Sequence, residues 1–352
     1  LTGWIDWQLK PTLIPDPQVD ALLARLPVPN DGTAIRTVKA RLDAGTIDGW
    51  QQFMSVPKSL VIRSVWSTRQ LQTVMEELWS DLFNVTVPHD GTNESRANYQ
   101  YTIRSKALGR FEDLLWGITR HPAMLTYLNN RDSTKYAPNE NQGRELLELH
   151  SIGVEAGYDE TDIKNAARVL TGMSVNDDTG EFSYQSWMHW VGPVTVFGFT
   201  HPNSTAGGGK TVAKALVSYL AKHPKTAQRV CYRIAQRFVS DDPSPALVTA
   251  AAIPDMPDVR AWAGHPNPAM ERDLVESFRQ ESREEDSGGD TTIGPVLFTD
   301  SQKALIVALA EPMLRREGTG FSAIPSSAEA ARTLGWALTR FNRKLDNVCD
   351  KL

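Results

Sequence analysis

Apolar residues recur at three- and four-residue spacing through most of this chain, and that rhythm restricts it to a helical architecture. Over residues 67–82, Leu71, Val74, Met75, Leu78 and Leu82 form one stripe. Ala107, Leu108, Phe111, Leu114, Leu115 and Ile118 form a second, and Ile163, Ala166, Ala167 and Leu170 a third. Val212, Leu216, Val217 and Leu220 make a fourth, and Val230, Ile234 and Phe238 a fifth. Gly172, just after the third stripe, stands where a left-handed helix stop is expected. Residues 174–200 depart from the pattern. They hold a turn signal at Asp177-Asp178-Thr179-Gly180, then Phe182 and Tyr184 in alternation, then Val194, Val196 and Phe199. The fold class expected is mainly α, a large multi-helix domain with a small β-hairpin-like insertion near 174–200. The helical domain spans 1–248. Residues 249–300, rich in proline and then in charge, form an irregular segment interrupted by a helix over 269–280. Periodicity over 302–314 and 327–345 predicts C-terminal helices within 301–352, packed on the same body.

At 352 residues with 41% hydrophobic content, the chain can bury a substantial core as one large body or two closely packed ones. A net charge of −5 and a pI near 5.9 argue against a dedicated nucleic-acid binder. No apolar run is long enough for a membrane-spanning helix. Cys231 and Cys349 supply neither a disulfide framework nor a four-thiolate zinc site, and their redox state stays open. Cys231 sits on an apolar stripe, a poor place for a reactive thiolate. The sequence opens at Leu1 without an initiator Met or a leader, which reads as a processed protein or a piece of a longer one.

Four His-Pro pairs occur. His121 and His223 each precede a helical stripe and read as helix-opening residues, because proline suits the first helical turn. His201, between a strand-like run and a glycine-rich loop, is a functional candidate, whereas His89 and His265 read as surface residues. Gly207-Gly208-Gly209-Lys210-Thr211 resembles the end of a phosphate-binding loop, but Ser204 stands where its first glycine is needed. Trp187, Trp190, Phe197 and Phe199 gather around His189, with the two phenylalanines read as core.

The densest charged segment is 139–150. With an advance of about 100° per residue, Glu140, Arg144, Glu148, Asn141 and Glu145 share one polar arc of about 140°. Leu146, Leu147, Leu149 and His150 take the opposite side, and His150 reads as a core histidine. Two readings of the arc compete. One is a helix face with i,i+4 ion pairs of about 0.2–0.5 kcal/mol each. The other makes Glu145 and Glu148 paired carboxylates oriented by Arg144, able to divide acid and base roles with His201. Glu145, Glu148 and His189 are then the candidate ligands of a divalent metal. The shortage of cations on this helix further predicts that the arc is buried against the segment carrying His189 and His201, with Gly143 admitting it. No Gly-x-Ser-x-Gly, His-Glu-x-x-His or dinucleotide fingerprint occurs.

His121-Pro-Ala-Met-Leu-Thr-Tyr-Leu128, Ala137-Pro-Asn-Glu-Asn-Gln-Gly-Arg-Glu-Leu-Leu-Glu-Leu-His-Ser-Ile-Gly-Val154, Gly157-Tyr-Asp-Glu-Thr-Asp162 and Ala167-Arg-Val-Leu-Thr-Gly172 follow one another in order. Together they resemble the signature of the domain-of-unknown-function family numbered 1800. The resemblance extends from Gly3-Trp-Ile-Asp-Trp-Gln-Leu9 to Arg237-Phe-Val239, covering roughly residues 1–248. It implies a mostly helical, typically exported bacterial protein of the cell envelope or extracellular space, and no established reaction. The family usually carries Trp-x-Asn-His before the signature, whereas this chain has Trp79-Ser80-Asp81-Leu82, so any chemistry resting on that histidine is lost here. Two functions stay open. The favoured one is a non-catalytic binding or structural component whose partner is an envelope polymer or a protein. The alternative is a hydrolase of cell-surface or extracellular polymers, metal-assisted or not. Oligomeric state is not legible.

Overall fold

Six of the described helices begin where a side chain takes up free N–H groups of the first turn. Asp48 and Asp159 do so in reciprocal capping boxes with Gln51 and Asp162. Asn139 and Ser244 cap with an oxygen, and His121 and His223 cap with a ring nitrogen that accepts from Ala123 and Lys225. The computed structural model describes residues 2–28 and 32–252, together with residue 332. The described residues contain thirteen α-helices. The N-terminal part holds α1 (Thr2–Gln8), α2 (Pro17–Leu23), α3 (Ile35–Asp43), α4 (Gly49–Trp66), α5 (Gln70–Leu82) and α6 (Arg96–Lys106). The middle holds α7 (Phe111–Thr119), α8 (Pro122–Tyr127), α9 (Glu140–Glu148) and α10 (Glu160–Leu170). After the insertion come α11 (Gly209–Ala221), α12 (Pro224–Phe238) and α13 (Pro245–Ala251). The irregular segment and the helices expected after residue 252 lie outside the described residues.

The mainly α architecture with a small β insertion is what the structure shows, and the insertion divides into two hairpins. Strand β1 (Met173–Val175) pairs antiparallel with β2 (Phe182–Tyr184), and β3 (Val194–Val196) with β4 (Phe199–His201). Asn176 turns the first hairpin, its Oδ1 accepting from Asp178 and Thr179 N–H. Gly172 follows the α10 C-cap with φ +81°, the left-handed stop its position called for. The stripe from Ala107 to Ile118 is not one helix. The chain breaks between α6 and α7, and Ala107 and Leu108 are buried from that turn.

The main core gathers apolar residues of α5 to α12 and both hairpins. A polar element is buried beside it. Glu76 of α5 is 0% exposed and pairs with Arg104 of α6 at 2.6 Å and Arg63 of α4 at 3.6 Å. Gln100 donates to Glu76 Oε1 and accepts from Arg96, whose Nε–H donates to the Val85 carbonyl. Burial pulls Arg63 and Arg96 down to about 10, and Glu76 opposes that fall at Arg63.

The helix carrying the polar arc is placed by contact without side chains. A Cβ built on Gly143 would lie 2.8 Å from the Ala167 amide nitrogen and 3.1 Å from the Ile163 carbonyl oxygen. Ala166 and Ala167 are themselves fully buried, so the α9 and α10 backbones meet directly. Two outcomes follow for chemical denaturation. Gly143→Ala should destabilise by about 1–3 kcal/mol through overpacking, even though alanine is the better helix former. Glu76→Gln should cost about 3–5 kcal/mol, because it leaves two buried guanidinium groups without their carboxylate.

Candidate functional site

Asn139 starts α9 by accepting from Asn141 N–H, and Leu146 and Leu147 anchor its inner side in the core. Gln142 Nε2 donates to the Thr119 carbonyl at the end of α7. These anchors turn Glu140, Arg144, Glu145 and Glu148 outward, as the helical wheel requires. Leu149, at the edge of the apolar side and past the last full turn, is 46% exposed rather than buried.

Arg144 organises the outer arc. Its guanidinium reaches Glu160 of α10 at 3.1 Å, Glu148 at 3.4 Å and Glu140 at 3.6 Å. Glu160, with hydrogen bonds from both terminal nitrogens of Arg144, is the main cause of the guanidinium's upward pKa shift. Glu148 Oε1 also accepts from the Tyr158 hydroxyl at 2.7 Å, and Arg229 of α12 donates to the Glu148 carbonyl. Burial, then the Glu148 carboxylate, pushes the Tyr158 phenol up to about 12. Glu145 stands apart. Its Oε2 is buried without a hydrogen-bond partner, and burial followed by repulsion from Glu148 raises its carboxyl pKa. One cation therefore serves three carboxylates, while a fourth is left to carry a proton more readily than usual.

His189 and His201 belong to a different network. His189 is 1% exposed, with Nδ1 2.9 Å from the Thr171 carbonyl and Nε2 2.9 Å from Asn203 Oδ1. Asn203 Nδ2 donates to the Trp190 carbonyl, and Trp190 N–H donates to Thr171 Oγ1. His201 Nδ1 accepts from Asn203 N–H, and its ring stacks on Phe199. Gly209 lies against the His189 ring and the Tyr184 hydroxyl, with no room for a Cβ, so this glycine serves packing rather than a phosphate.

The structure brings Glu145, Glu148 and Arg144 together and keeps both histidines away from them. Alpha-helix α10 is the reason. Ile163 and Ala167 face Gly143 of α9, whereas Asn165 and Asp162, on the opposite side of the same helix, bond the Thr195 carbonyl and the Phe197 N–H of the insertion. The close neighbour that Gly143 admits is thus α10 and not the segment carrying His189 and His201, which corrects the packing expected from sequence. Among the described residues, no three His, Cys, Asp or Glu side chains are grouped to hold a metal ion, and the set Glu145, Glu148 and His189 is not assembled.

The remaining histidines among the described residues are structural, and His265, expected at the surface, lies outside them. His121 caps α8 and turns Nε2 to Asn98 Oδ1, and His150 is buried against Phe83 at 5.2 Å between ring centroids. His89, expected at the surface, is half-buried with its edge on Tyr127. Leu82, where the family motif places a histidine, lies in the core with Trp79 and Phe83. Cys231 is buried, and its thiol is raised to about 11, which suits an inert core cysteine. Sequence reasoning missed Tyr158, Glu160 and Arg229 as partners of the arc. The first two lie in the stretch Gly157-Tyr-Asp-Glu-Thr-Asp162 directly after the α9 motif, which was a usable signal.

Residues 1–253 match the model of a family described as Protein of unknown function (DUF1800). No curated protein and no solved structure matches the chain.

The buried histidines set a pH dependence. Burial, with nearby arginines adding to it, lowers His121 and His150 to about 3 from the ordinary value of 6.5. The unfolded chain therefore takes up these protons first as pH falls, so the stability they confer is complete above about 6.5 and is lost between there and about 3. The urea midpoint should be lower at pH 5 than at pH 7. His121→Asn, which keeps an N-cap acceptor and removes the titration, should narrow that difference. An unchanged difference in this variant would assign the acid sensitivity to other groups.

Proposed function

We propose that this chain, which belongs to the DUF1800 family, is a non-catalytic binding or structural component of the bacterial cell envelope or extracellular space. Its partner on this reading is an envelope polymer or a protein. The observation that carries the reading is the use of the α9 carboxylates. Arg144 is shared among Glu140, Glu148 and Glu160, and Glu148 is further held by Tyr158, so one of the two carboxylates a hydrolase would need is occupied in structure. The separation of both histidines from the arc by α10 supports the same conclusion, as does the leucine at position 82. The extracellular setting rests on the family resemblance alone. No helix among the described residues is long and apolar enough to cross a membrane.

One observation favours the hydrolase reading: Glu145 has a raised pKa beside the carboxylate of Glu148, a pairing that can divide acid and base roles. Sedimentation with purified cell-wall sacculi, combined with an assay for released reducing ends and amines, separates the two. The expected result is retention without release, with a Glu145→Gln/Glu148→Gln variant retained equally well. Fragment release that disappears in the double variant would establish the enzyme instead. Single variants add a structural check. Glu145→Gln should leave the melting temperature at pH 7 unchanged or higher, since it removes an unpartnered charge, while Glu148→Gln should cost about 1 kcal/mol in its bonds to Tyr158 and Arg144. Fractionation of the native host tests the location, and a protein confined to the cytoplasm would refute it.

A further inference from the structure

Charge is distributed very unevenly along this acidic chain. Between Glu181 and Asp241 there is no acidic residue at all, against four lysines and three arginines, every one of them in α11, in α12 or, for Lys222, in the link between them. Lys210, Lys214, Lys222 and Lys225 are exposed. Along α11 the first three, with Ser218 between them, follow a four-residue spacing of about 6 Å per step. They therefore form a line down one face that continues into Lys225 at the start of α12. The acidic neighbours are Glu112 and Asp113 of α7, which line a shallow depression with Lys214 and Ser218. Glu112 is already matched by Arg110 at 2.7 Å and Lys222 at 3.4 Å, and although burial raises its pKa, the Ser218 hydrogen bond together with Lys222 and Arg110 brings it below the ordinary value. The line remains cationic in balance.

The apolar sides of these helices are spent on the core. Val212, Leu216, Val217 and Leu220 of α11 are buried, as are Cys231 and Ala235 of α12, while Val230, Ile234 and Phe238 pack against the same core. Nothing apolar remains on α11 to enter a bilayer, and membrane-surface helices need that face. Tyr219, beside this line, packs on Phe199 and His223 and donates to the Phe197 carbonyl, so its ring is committed to the fold. The exposed Thr211 adds a hydroxyl beside Lys210, while Ser218 is held by Glu112. Cations at regular spacing complement a linear chain that repeats one anion per unit, and the acidic balance of the whole protein argues against a nucleic acid as that polymer. We infer that the outer face of α11, continued by Lys225, is a docking track for a linear acidic polysaccharide.

This inference rests on the polymer-binding reading above and names its ligand class. The test is titration calorimetry of the full 352-residue chain with polygalacturonate, repeated as ionic strength is raised. Binding should weaken steadily with salt, and Lys214→Glu/Lys225→Glu should weaken it about ten-fold or more. Lys10→Glu/Lys135→Glu makes the same change of net charge off the track and should bind as the parent does, with both variants keeping the parent's melting temperature. Equal losses in the two variants, or none in Lys214→Glu/Lys225→Glu, would overturn the track while leaving polymer binding itself standing. If the parent ignores polygalacturonate but binds duplex DNA or anionic phosphatidylglycerol vesicles, the ligand class is wrong. If it binds neither polygalacturonate nor sacculi, the polymer-binding reading falls as well.

Discussion

The buried carboxylate of Glu76 constrains more of this structure than any other single group. A fully desolvated charge is tolerable only with its partners in place, and here they come from two other helices, Arg63 of α4 and Arg104 of α6. Hydrophobic contact alone would let α4, α5 and α6 slide past one another at small cost. The ion pairs and Gln100 admit one register. That register propagates. Asn98, two residues before Gln100 on α6, receives the His121 ring that caps α8, and the Thr119 carbonyl just before that cap receives Gln142 of α9. The outward arc of α9 is thus set by a polar chain beginning at Glu76.

The parts of this fold legible in the sequence are those governed by periodicity and local chemistry. Helices α5, α10, α11 and α12, the non-helical insertion, the left-handed Gly172 and the capping roles of His121 and His223 all follow from patterns within a few residues. Glu76 shows the limit. A carboxylate between Met75 and Trp79 looks like an ordinary break in an apolar stripe, and only two arginines distant in sequence make it a core residue. The stripe from Ala107 to Ile118 misleads for the converse reason, because a buried turn can present apolar residues at helical spacing. Whole-chain charge concealed the basic stretch of α11 and α12, since a net value averages over a region without a single acid.

The candidate site divides in the same way. A helical wheel places Glu145, Glu148 and Arg144 on one face correctly, because that is a property of one helix. It cannot say what stands opposite. The choice between α10 and the histidine segment was made by Gly143, whose missing side chain fits Ala167 backbone to backbone. Glu160 and Tyr158 then arrive with α10 and its leading turn, and the arc becomes an ion-pair cluster around Arg144.

Helix α10 also acts as a partition. The arc around Arg144 lies on one side of it and the His189 network on the other, about 10 Å apart across the width of a helix with its side chains. Neither network shares a hydrogen-bonded residue with the other. Substitutions on the two sides of α10 therefore act on the stability of the fold separately, one on an outer ion-pair cluster and the other on a buried histidine.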